Sequence, residues 1–308
     1  MAKPSLPLPL KLRYRAEAAL FLAFMGLFRA MGLDAASALG GFIGRNIFAR
    51  TRVTQTAREN LTNAFPEKSS VQVDAILRDM WDNLGRTVAE YAHLDKFDLY
   101  GADPRIMIKN DEVAEKMRGK PVLILSGHFA NWEVGGIAAA RFGLDGAIVY
   151  RPPNNPYVDR YIARARAKKG LADHISKFNG ARRIFSSLRA GKAILLLVDQ
   201  KTNEGVAAPF FGRDAMTTPT PAMLALKLKV PIVFASITRL GGARFRVTMH
   251  PPLEFTPSGD HRDDVMAMTA AINLRLEEMV RADPSQWLWI HRRWPTERDL
   301  AKAKAIAD

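Results

Sequence analysis

The chain has 308 residues, of which 48% are hydrophobic and 25% are charged, a balance that is typical of a globular protein of one or two domains and excludes a disordered chain. The 45 Lys and Arg against 31 Asp and Glu give a formal charge of +14, which favours polyanionic partners such as anionic lipid, nucleic acid or an acidic carrier protein. The absence of cysteine excludes disulfides, thiolate zinc sites and cysteine nucleophiles, and the six histidines lack the i, i+3 or i, i+4 spacing of a helical metal site.

A basic segment precedes an apolar one at the N-terminus. Residues 3–15 carry four positive charges, and the run from Ala18 to Phe28 is uncharged. Crossing a bilayer takes about 20 apolar residues, so this run predicts an anchor in the membrane interface. A marginal span and a helix buried against the catalytic domain remain alternatives. No small-x-small pattern follows Phe28, so a cleaved secretory signal is not expected.

The rest of the chain alternates between helical and strand patterns. Apolar residues at three- and four-residue steps predict an amphipathic helix over Val71–Leu94, with Ser69 and Ser70 as cap candidates. All-apolar runs predict strands buried on both faces at Pro121–Leu125, Ala193–Val198 and Pro231–Ile237. Helices are predicted at Trp132–Arg141, Pro156–Lys169, Ala181–Ala190, Pro219–Lys229 and Asp263–Arg281, and a more exposed strand at Arg244–Met249. This alternation predicts an α/β sandwich.

His128 stands three residues after the strand predicted to end at Leu125, where open α/β sheets gather their reactive groups. Glu133, after the chain turns into a helix, can reach back to one imidazole nitrogen and fix the tautomer. The other nitrogen is then free to take a proton from a hydroxyl. This is the base and orienter half of a serine hydrolase triad, with the hydroxyl supplied by the substrate. For the spacing alone, the alternative is a structural histidine beside a solvated glutamate.

Several ordered motifs accompany this pair: Asn60-Leu-Thr-Asn-Ala-Phe-Pro66, Asn83-Leu-Gly-Arg86, Gly127-His-Phe-Ala-Asn-Trp-Glu133, Tyr150-Arg-Pro-Pro-Asn-Asn-Pro156, Asp199-Gln200, Phe210-Phe-Gly212 and Trp289-Ile-His-Arg-Arg-Trp294. From about Arg58 to Trp294 they resemble the bacterial lipid A late acyltransferase family, the lauroyl and myristoyl transferases of lipid A biosynthesis. The resemblance is far more specific than the spacing of His128 and Glu133.

The resemblance implies an αβα sandwich of the glycerolipid acyltransferase-like type behind an N-terminal helical region that anchors it to the membrane. The expected parts are an anchor at 1–35, a helical region at 36–105, the acyltransferase domain at 106–296 and a polar tail at 297–308. It implies transfer of a fatty acyl group from acyl carrier protein to a hydroxyl of a lipid A precursor, without metal or cofactor. The expected location is the inner membrane, with the catalytic domain facing the cytoplasm.

In this picture His128 is the general base and Glu133 its partner. Arg151 would bind a phosphate or polarise the thioester carbonyl, because its fork of donors suits an anionic oxygen. Asp199 would add a second catalytic carboxylate near His128, or else cap an ordinary loop. The other candidate substrate-binding residues are Asn131, Arg160, Arg164, Gln200, Phe210 and Phe211.

These other candidates have structural alternatives. Phe210 and Phe211 either line an acyl channel or pack their own loop. Arg160 and Arg164 belong to a basic helix that either receives lipid phosphates and the acidic carrier protein or is simply solvated. The tryptophans and arginines of Trp287–Trp294 either reach the membrane interface or pack the last helix on the sheet.

Rival functions differ in substrate or in class. A lysophospholipid or other glycolipid O-acyltransferase, using acyl carrier protein or acyl coenzyme A, would employ the same base. A non-enzymatic protein that binds anionic lipid or nucleic acid would use the positive charge alone, but no nucleic-acid module is visible and no nucleic-acid partner is expected. A serine hydrolase would need Gly-x-Ser-x-Gly, which is absent.

Overall fold

The computed structural model describes residues 7–171, 173–178, 180–202 and 204–294, so the predicted polar tail lies outside the described residues. Four helices come first: α1 (Leu8–Ala30), α2 (Leu33–Asn46), α3 (Val53–Ala64) and α4 (Ser70–Glu90). The amphipathic helix predicted over Val71–Leu94 is confirmed as α4 and the short 3-10 helix Tyr91–Lys96 after it. Ser69 caps α4 in a capping box with Gln72. Among the described helices, none has both the length and the apolarity that a membrane crossing requires.

Helices α2 and α4 touch backbone to backbone. A Cβ atom at Gly44 would collide with the carbonyl oxygen of Trp81, and a Cβ atom at Gly85 would collide with the carbonyl oxygen of Gly40. Glycine at these positions therefore permits an approach that any larger residue would prevent.

A seven-stranded sheet forms the centre of the molecule, in the order β1-β9-β8-β2-β5-β3-β4. Its strands are β1 (Ile106–Lys109), β2 (Val122–Ser126), β3 (Gly146–Tyr150), β4 (Asp173–Ser176), β5 (Ala193–Leu197), β8 (Ile232–Gly241) and β9 (Arg244–Met249). Strand β2 is parallel to both of its neighbours, β5 and β8, and β9 is antiparallel to β8. The strands predicted from the apolar runs are confirmed as β2, β5 and β8.

Helices cover both faces of the sheet. They are α5 (Asp111–Met117), α6 (Glu133–Arg141), α7 (Pro156–Ala167), α8 (Ala181–Arg189), α9 (Thr220–Leu228) and α10 (His261–Ala282). Alternate residues of β2 enter two cores: Leu123 and Leu125 pack with α4, α9 and α10, and Val122 and Ile124 pack with α5 and α6. The predicted mixed α/β fold around a parallel sheet is confirmed, and the division into four parts stays a prediction.

A separate hairpin of β6 (Val206–Phe210) and β7 (Arg213–Thr217) packs on α10. The C-terminal segment crosses beside it, and its Trp287, Trp289 and Trp294 are buried in the core. This placement corresponds to the alternative in which the three tryptophans pack inside the protein and do not reach the membrane interface.

Candidate active site

His128 lies just beyond the carboxyl end of β2, and Asp199 just beyond the end of the adjacent β5. The register pairs Ser126 with Leu197, so both side chains stand two residues past the last pair and at the same level of the sheet. Glycine at position 127 leaves room for this arrangement, because a Cβ there would lie 3.0 Å from the Asp199 carboxylate and 2.7 Å from the Phe129 ring. The sheet therefore brings together two groups that are 71 residues apart.

The carboxylate of Asp199 holds His128 through two hydrogen bonds. Nδ1 of the imidazole lies 2.8 Å from Oδ1, and the backbone N–H of His128 donates to Oδ2 over 2.7 Å. The indole N–H of Trp287 also donates to Oδ2, over 2.8 Å. Burial raises the pKa of Asp199, but His128 and these hydrogen bonds more than reverse this effect and lower it to about 2. An ionised carboxylate only accepts, so Nδ1 carries the proton and the lone pair of Nε2 is free to act as a base.

The side chain of Gln200 stands at the basic nitrogen and links it to His291. The amide nitrogen of Gln200 lies 3.2 Å from Nε2 of His128 and 2.9 Å from Nε2 of His291. Gln200 follows Asp199 directly, as the family resemblance implied for a site residue. His291 belongs to the motif Trp289–Trp294, but a role for this histidine was not predicted from the sequence. The signal for it was a polar residue within an otherwise aromatic and basic segment.

The loop after His128 rests on a buried polar network. Ala130 has a φ of 46°, and its carbonyl oxygen accepts from Asn83 and Thr87 on α4. Glu90, fully buried on the same helix, pairs with Arg239 of β8. This network fixes the strained turn that carries His128 past the strand end.

Asn131 belongs to this network. Its side-chain nitrogen donates to Glu90 over 2.8 Å, and its oxygen accepts from the backbone N–H of Glu133. Because Asn131 is 0% exposed, the structure corrects the expectation that it contacts substrate.

Glu133 faces away from His128. Arg166 of α7 donates to both of its oxygens, over 2.7 and 2.6 Å, and the Tyr91 hydroxyl donates to one of them. Burial raises the pKa of Glu133, but Arg166 outweighs this effect and lowers it. The prediction that Glu133 orients His128 is therefore wrong in this structure: Asp199 occupies Nδ1, and Glu133 fastens α6 to α7.

Removing Arg166 is expected to destabilise the protein strongly. Arg166→Met would leave the Glu133 carboxylate buried without its ion-pair partner, which costs roughly 3–5 kcal/mol of unfolding free energy. Denaturant unfolding of the parent protein, Arg166→Met and the exposed Arg164→Met control would measure this. Adding Glu133→Gln to Arg166→Met should restore much of the loss, because no buried charge remains. Equal stability of Arg166→Met and the parent would contradict the assignment.

The predicted anion-binding arginines are exposed. Arg151 follows β3 at the same edge of the sheet as His128, and Arg160 and Arg164 lie on α7. The charge of Arg151 reaches the site, since it helps to lower the pKa of His291. These positions leave all three guanidinium groups available to a phosphate, and their roles stay predictions.

Phe210 and Phe211 are packed in the core, 1% and 6% exposed. Phe210 stacks on Trp294 with ring centroids 5.6 Å apart, and Phe211 contacts Phe65 and Trp289. This arrangement is the packed-loop alternative, and a role in an acyl channel stays a prediction.

A narrow crevice runs alongside His128, with Met80, Leu84, Trp132, Trp287 and Leu288 in its walls. Asn83 and Gln286 complete its lining, and the gap is too narrow to hold a water molecule, so it does not by itself accommodate an acyl chain. Among the described residues, no group of three or more His, Asp and Glu is placed to hold a metal ion.

Comparisons of the sequence with known proteins indicate one family. A family model for bacterial lipid A biosynthesis acyltransferase matches residues 6–296. The chain is 26% identical to the lipid A biosynthesis palmitoleoyltransferase of Escherichia coli (strain K12), over 83% of this chain and 84% of the relative. It is 24% identical to the lauroyltransferase of the same organism, over 80% of each chain. Among solved structures, the 1-acyl-sn-glycerophosphate (LPA) acyltransferase PlsC of Thermotoga maritima matches with a TM-score of 0.35 and 12% identity, over 80% of this chain and 95% of that chain.

Proposed function

We propose that this chain, which belongs to the bacterial lipid A biosynthesis acyltransferase family, transfers a fatty acyl group from an acyl carrier protein thioester to a hydroxyl of a lipid A precursor. Membership of the family makes the chain an acyltransferase. The observation that carries the proposed mechanism is the imidazole of His128, whose Nδ1 donates to Asp199 and whose Nε2 is therefore unprotonated and able to take a proton. Donor, acceptor and base are parts of the proposal.

The reaction needs one base and no covalent enzyme intermediate. The acceptor hydroxyl gives its proton to Nε2 of His128 as its oxygen attacks the thioester carbonyl carbon. Asp199 stabilises the imidazolium that forms. The tetrahedral intermediate then collapses, the carbon–sulfur bond breaks, and the imidazolium returns the proton to the leaving sulfur. The products are an ester on the acceptor and a free carrier thiol.

The distribution of positive charge supports an anionic acceptor and an acidic donor. Arg151 is exposed and its charge reaches His291, and Arg160 and Arg164 are exposed on α7. Guanidinium groups bind phosphate oxygens as bidentate donors. Phosphates on the lipid acceptor and on the carrier prosthetic group would both find partners here.

The N-terminal helix α1 supports contact with a membrane surface, and the inner membrane with the catalytic domain on its cytoplasmic side is the location we propose. Leu20, Phe24 and Leu27 recur at i, i+4 and i+7 and are 62%, 47% and 54% exposed. Ala18 and Met25, on the other side of α1, are buried against the protein. An apolar face on a helix that also carries Lys11, Arg13 and Arg15 is the pattern of a helix that lies in the interface of an anionic bilayer.

Acidic substitutions on the exposed apolar face of α1 are expected to weaken binding of the protein to membranes. The double variant Leu20→Asp/Leu27→Asp removes two leucines, each worth roughly 1.5–3 kcal/mol when buried in hydrocarbon, so its partition into phosphatidylglycerol-containing vesicles should fall at least about tenfold. Flotation of vesicles would measure this. Leu274→Asp, at a leucine on α10 that is 59% exposed, is the matched control and should bind as the parent does. Equal binding of the double variant would refute the anchor.

Transfer assays test the proposed substrates directly. The purified protein would receive acyl carrier protein or coenzyme A thioesters as donors and a lipid A precursor or a lysophospholipid as acceptor, with products identified by mass spectrometry. We expect one added acyl chain on the lipid A precursor, with the carrier protein as the better donor. Acylation of lysophospholipid alone would replace the proposed acceptor.

A further inference from the structure

The Gln200 side chain bridges two imidazoles at the reacting end of the site. Its amide nitrogen lies 3.2 Å from Nε2 of His128 and 2.9 Å from Nε2 of His291. The centroids of the two rings are 5.8 Å apart. One amide nitrogen thus has both of its N–H groups aimed at histidine nitrogens.

His291 is fixed in its place from another part of the chain. The side-chain nitrogen of Asn60, on α3, donates to the carbonyl oxygens of both Trp289 and His291, over 2.8 and 2.6 Å. Asn60 is buried, 8% exposed. The position of His291 is therefore set by a buried contact that is independent of Gln200.

The protonation states follow from the neighbours. Burial lowers the pKa of His291, and the positive charge of Arg151 lowers it further against the opposing effect of Asp199. His291 is therefore neutral at physiological pH, and its Nε2 accepts from Gln200. His128 donates from Nδ1 to Asp199, so its own Nε2 also accepts from Gln200.

This arrangement places Gln200 where the acceptor hydroxyl has to come. A hydroxyl that gives its proton to Nε2 must lie within about 3.2 Å of that nitrogen, which is the distance that the Gln200 amide now occupies. The N–H directed at His128 must therefore move aside when the acceptor binds. The other N–H can keep its bond to His291, which limits the movement to a rotation of the amide.

We propose that Gln200, held by His291 through one N–H, changes the acceptor of its second N–H during the reaction. In the resting enzyme this second N–H donates to Nε2 of His128. Once the acceptor hydroxyl arrives, it donates to the thioester carbonyl oxygen. This inference rests on the proposed acyl transfer. As the hydroxyl oxygen bonds to the carbonyl carbon and its proton passes to His128, the carbonyl oxygen becomes an oxyanion that accepts the N–H of Gln200. When the carbon–sulfur bond breaks, the carbonyl re-forms and the proton leaves with the sulfur.

Gln200 is thus a catalytic residue and His291 a positioning residue. A donor aimed at a developing oxyanion contributes about 10²–10³-fold to kcat. The contact with Nε2 makes the amide a competitor of the acceptor in the resting enzyme. Loss of the Gln200 amide should therefore lower kcat and leave the acceptor KM equal or reduced.

Kinetics of three variants test the proposal. Gln200→Leu should lose roughly 10²–10³-fold in kcat without a rise in acceptor KM. His291→Leu should lose part of this, and His291→Gln, which again offers an acceptor atom, should recover most of it. The control His261→Leu changes an exposed histidine at the start of α10 and should behave as the parent. A Gln200→Leu enzyme with parental kcat, or a His291→Gln enzyme no better than His291→Leu, would overturn the proposal.

A spectroscopic readout separates this inference from the proposed function. With ¹⁵N-labelled histidine, the Nε2 resonance of His128 in the substrate-free protein should move in Gln200→Leu, because its hydrogen-bond donor is gone. An unchanged resonance would overturn the contact, whatever the substrate. If the parent protein acylates no lipid A precursor, the proposed acceptor fails on its own evidence, and the kinetic test passes to the acceptor that the protein does use.

Discussion

Replacing His128 by alanine is expected to lower kcat for acyl transfer by roughly 10²–10⁴-fold, the contribution of a positioned general base. Nε2 of this ring is the nitrogen that Asp199 leaves unprotonated, and the other nearby imidazole, His291, is directed at Gln200. Within the described part of the chain, His291 therefore offers no substitute base in the same geometry. Steady-state transfer from acyl carrier protein to a lipid A precursor, followed by mass spectrometry, measures the loss.

The same assay on His261→Ala provides the control, because this histidine is exposed and lies at the start of α10. Fluorescence of the five tryptophans would report that both variants are folded. Transfer by His128→Ala at the parental rate would contradict the assignment of the base.

Replacing Asp199 by asparagine is expected to lower kcat on the order of 10³-fold or more through the tautomer of His128. Oδ2 accepts two N–H groups, from the His128 backbone and from Trp287. The amide oxygen of asparagine will take that position, so its NH₂ group will face Nδ1. Nδ1 must then accept, the proton moves to Nε2, and the ring can no longer act as a base there.

Rates of Asp199→Asn against those of the control Asp145→Asn, an exposed aspartate just before β3, measure this effect. The ¹⁵N spectrum of His128 provides the second check, since the proton should appear on Nε2 in the variant. A variant that keeps the proton on Nδ1 and the parental kcat would contradict the role of Asp199.

The sequence predicted where the site lies but not which carboxylate serves it. The apolar runs of β2 and β5 end at Ser126 and Leu197, and parallel pairing brings the residues after both ends to one edge of the sheet. His128 and Asp199 meet for this reason. Spacing favoured Glu133 as the partner of His128, and this prediction was wrong because the direction of a side chain in the first turn of a helix depends on the turn before it.

Polar contacts between residues far apart in the chain could not be predicted from the sequence. Arg166 looks like Arg160 and Arg164 in the pattern of α7, yet it alone of the three turns inward to Glu133. His291 reaches the site because Asn60, 231 residues away, holds its backbone. Periodicity describes which face of an element is apolar, whereas these contacts depend on how distant elements pack.

The most direct test of the account compares kcat of Asp199→Asn with kcat of Glu133→Gln, for transfer from acyl carrier protein to a lipid A precursor. Both variants would be assayed well below the unfolding temperature of the less stable one. Asp199 holds the base and Glu133 holds α7, so we expect kcat of Asp199→Asn to be lower by at least about tenfold than kcat of Glu133→Gln. The reverse order, with Glu133→Gln inactive and Asp199→Asn close to the parent, would contradict the account and return the orienting role to Glu133.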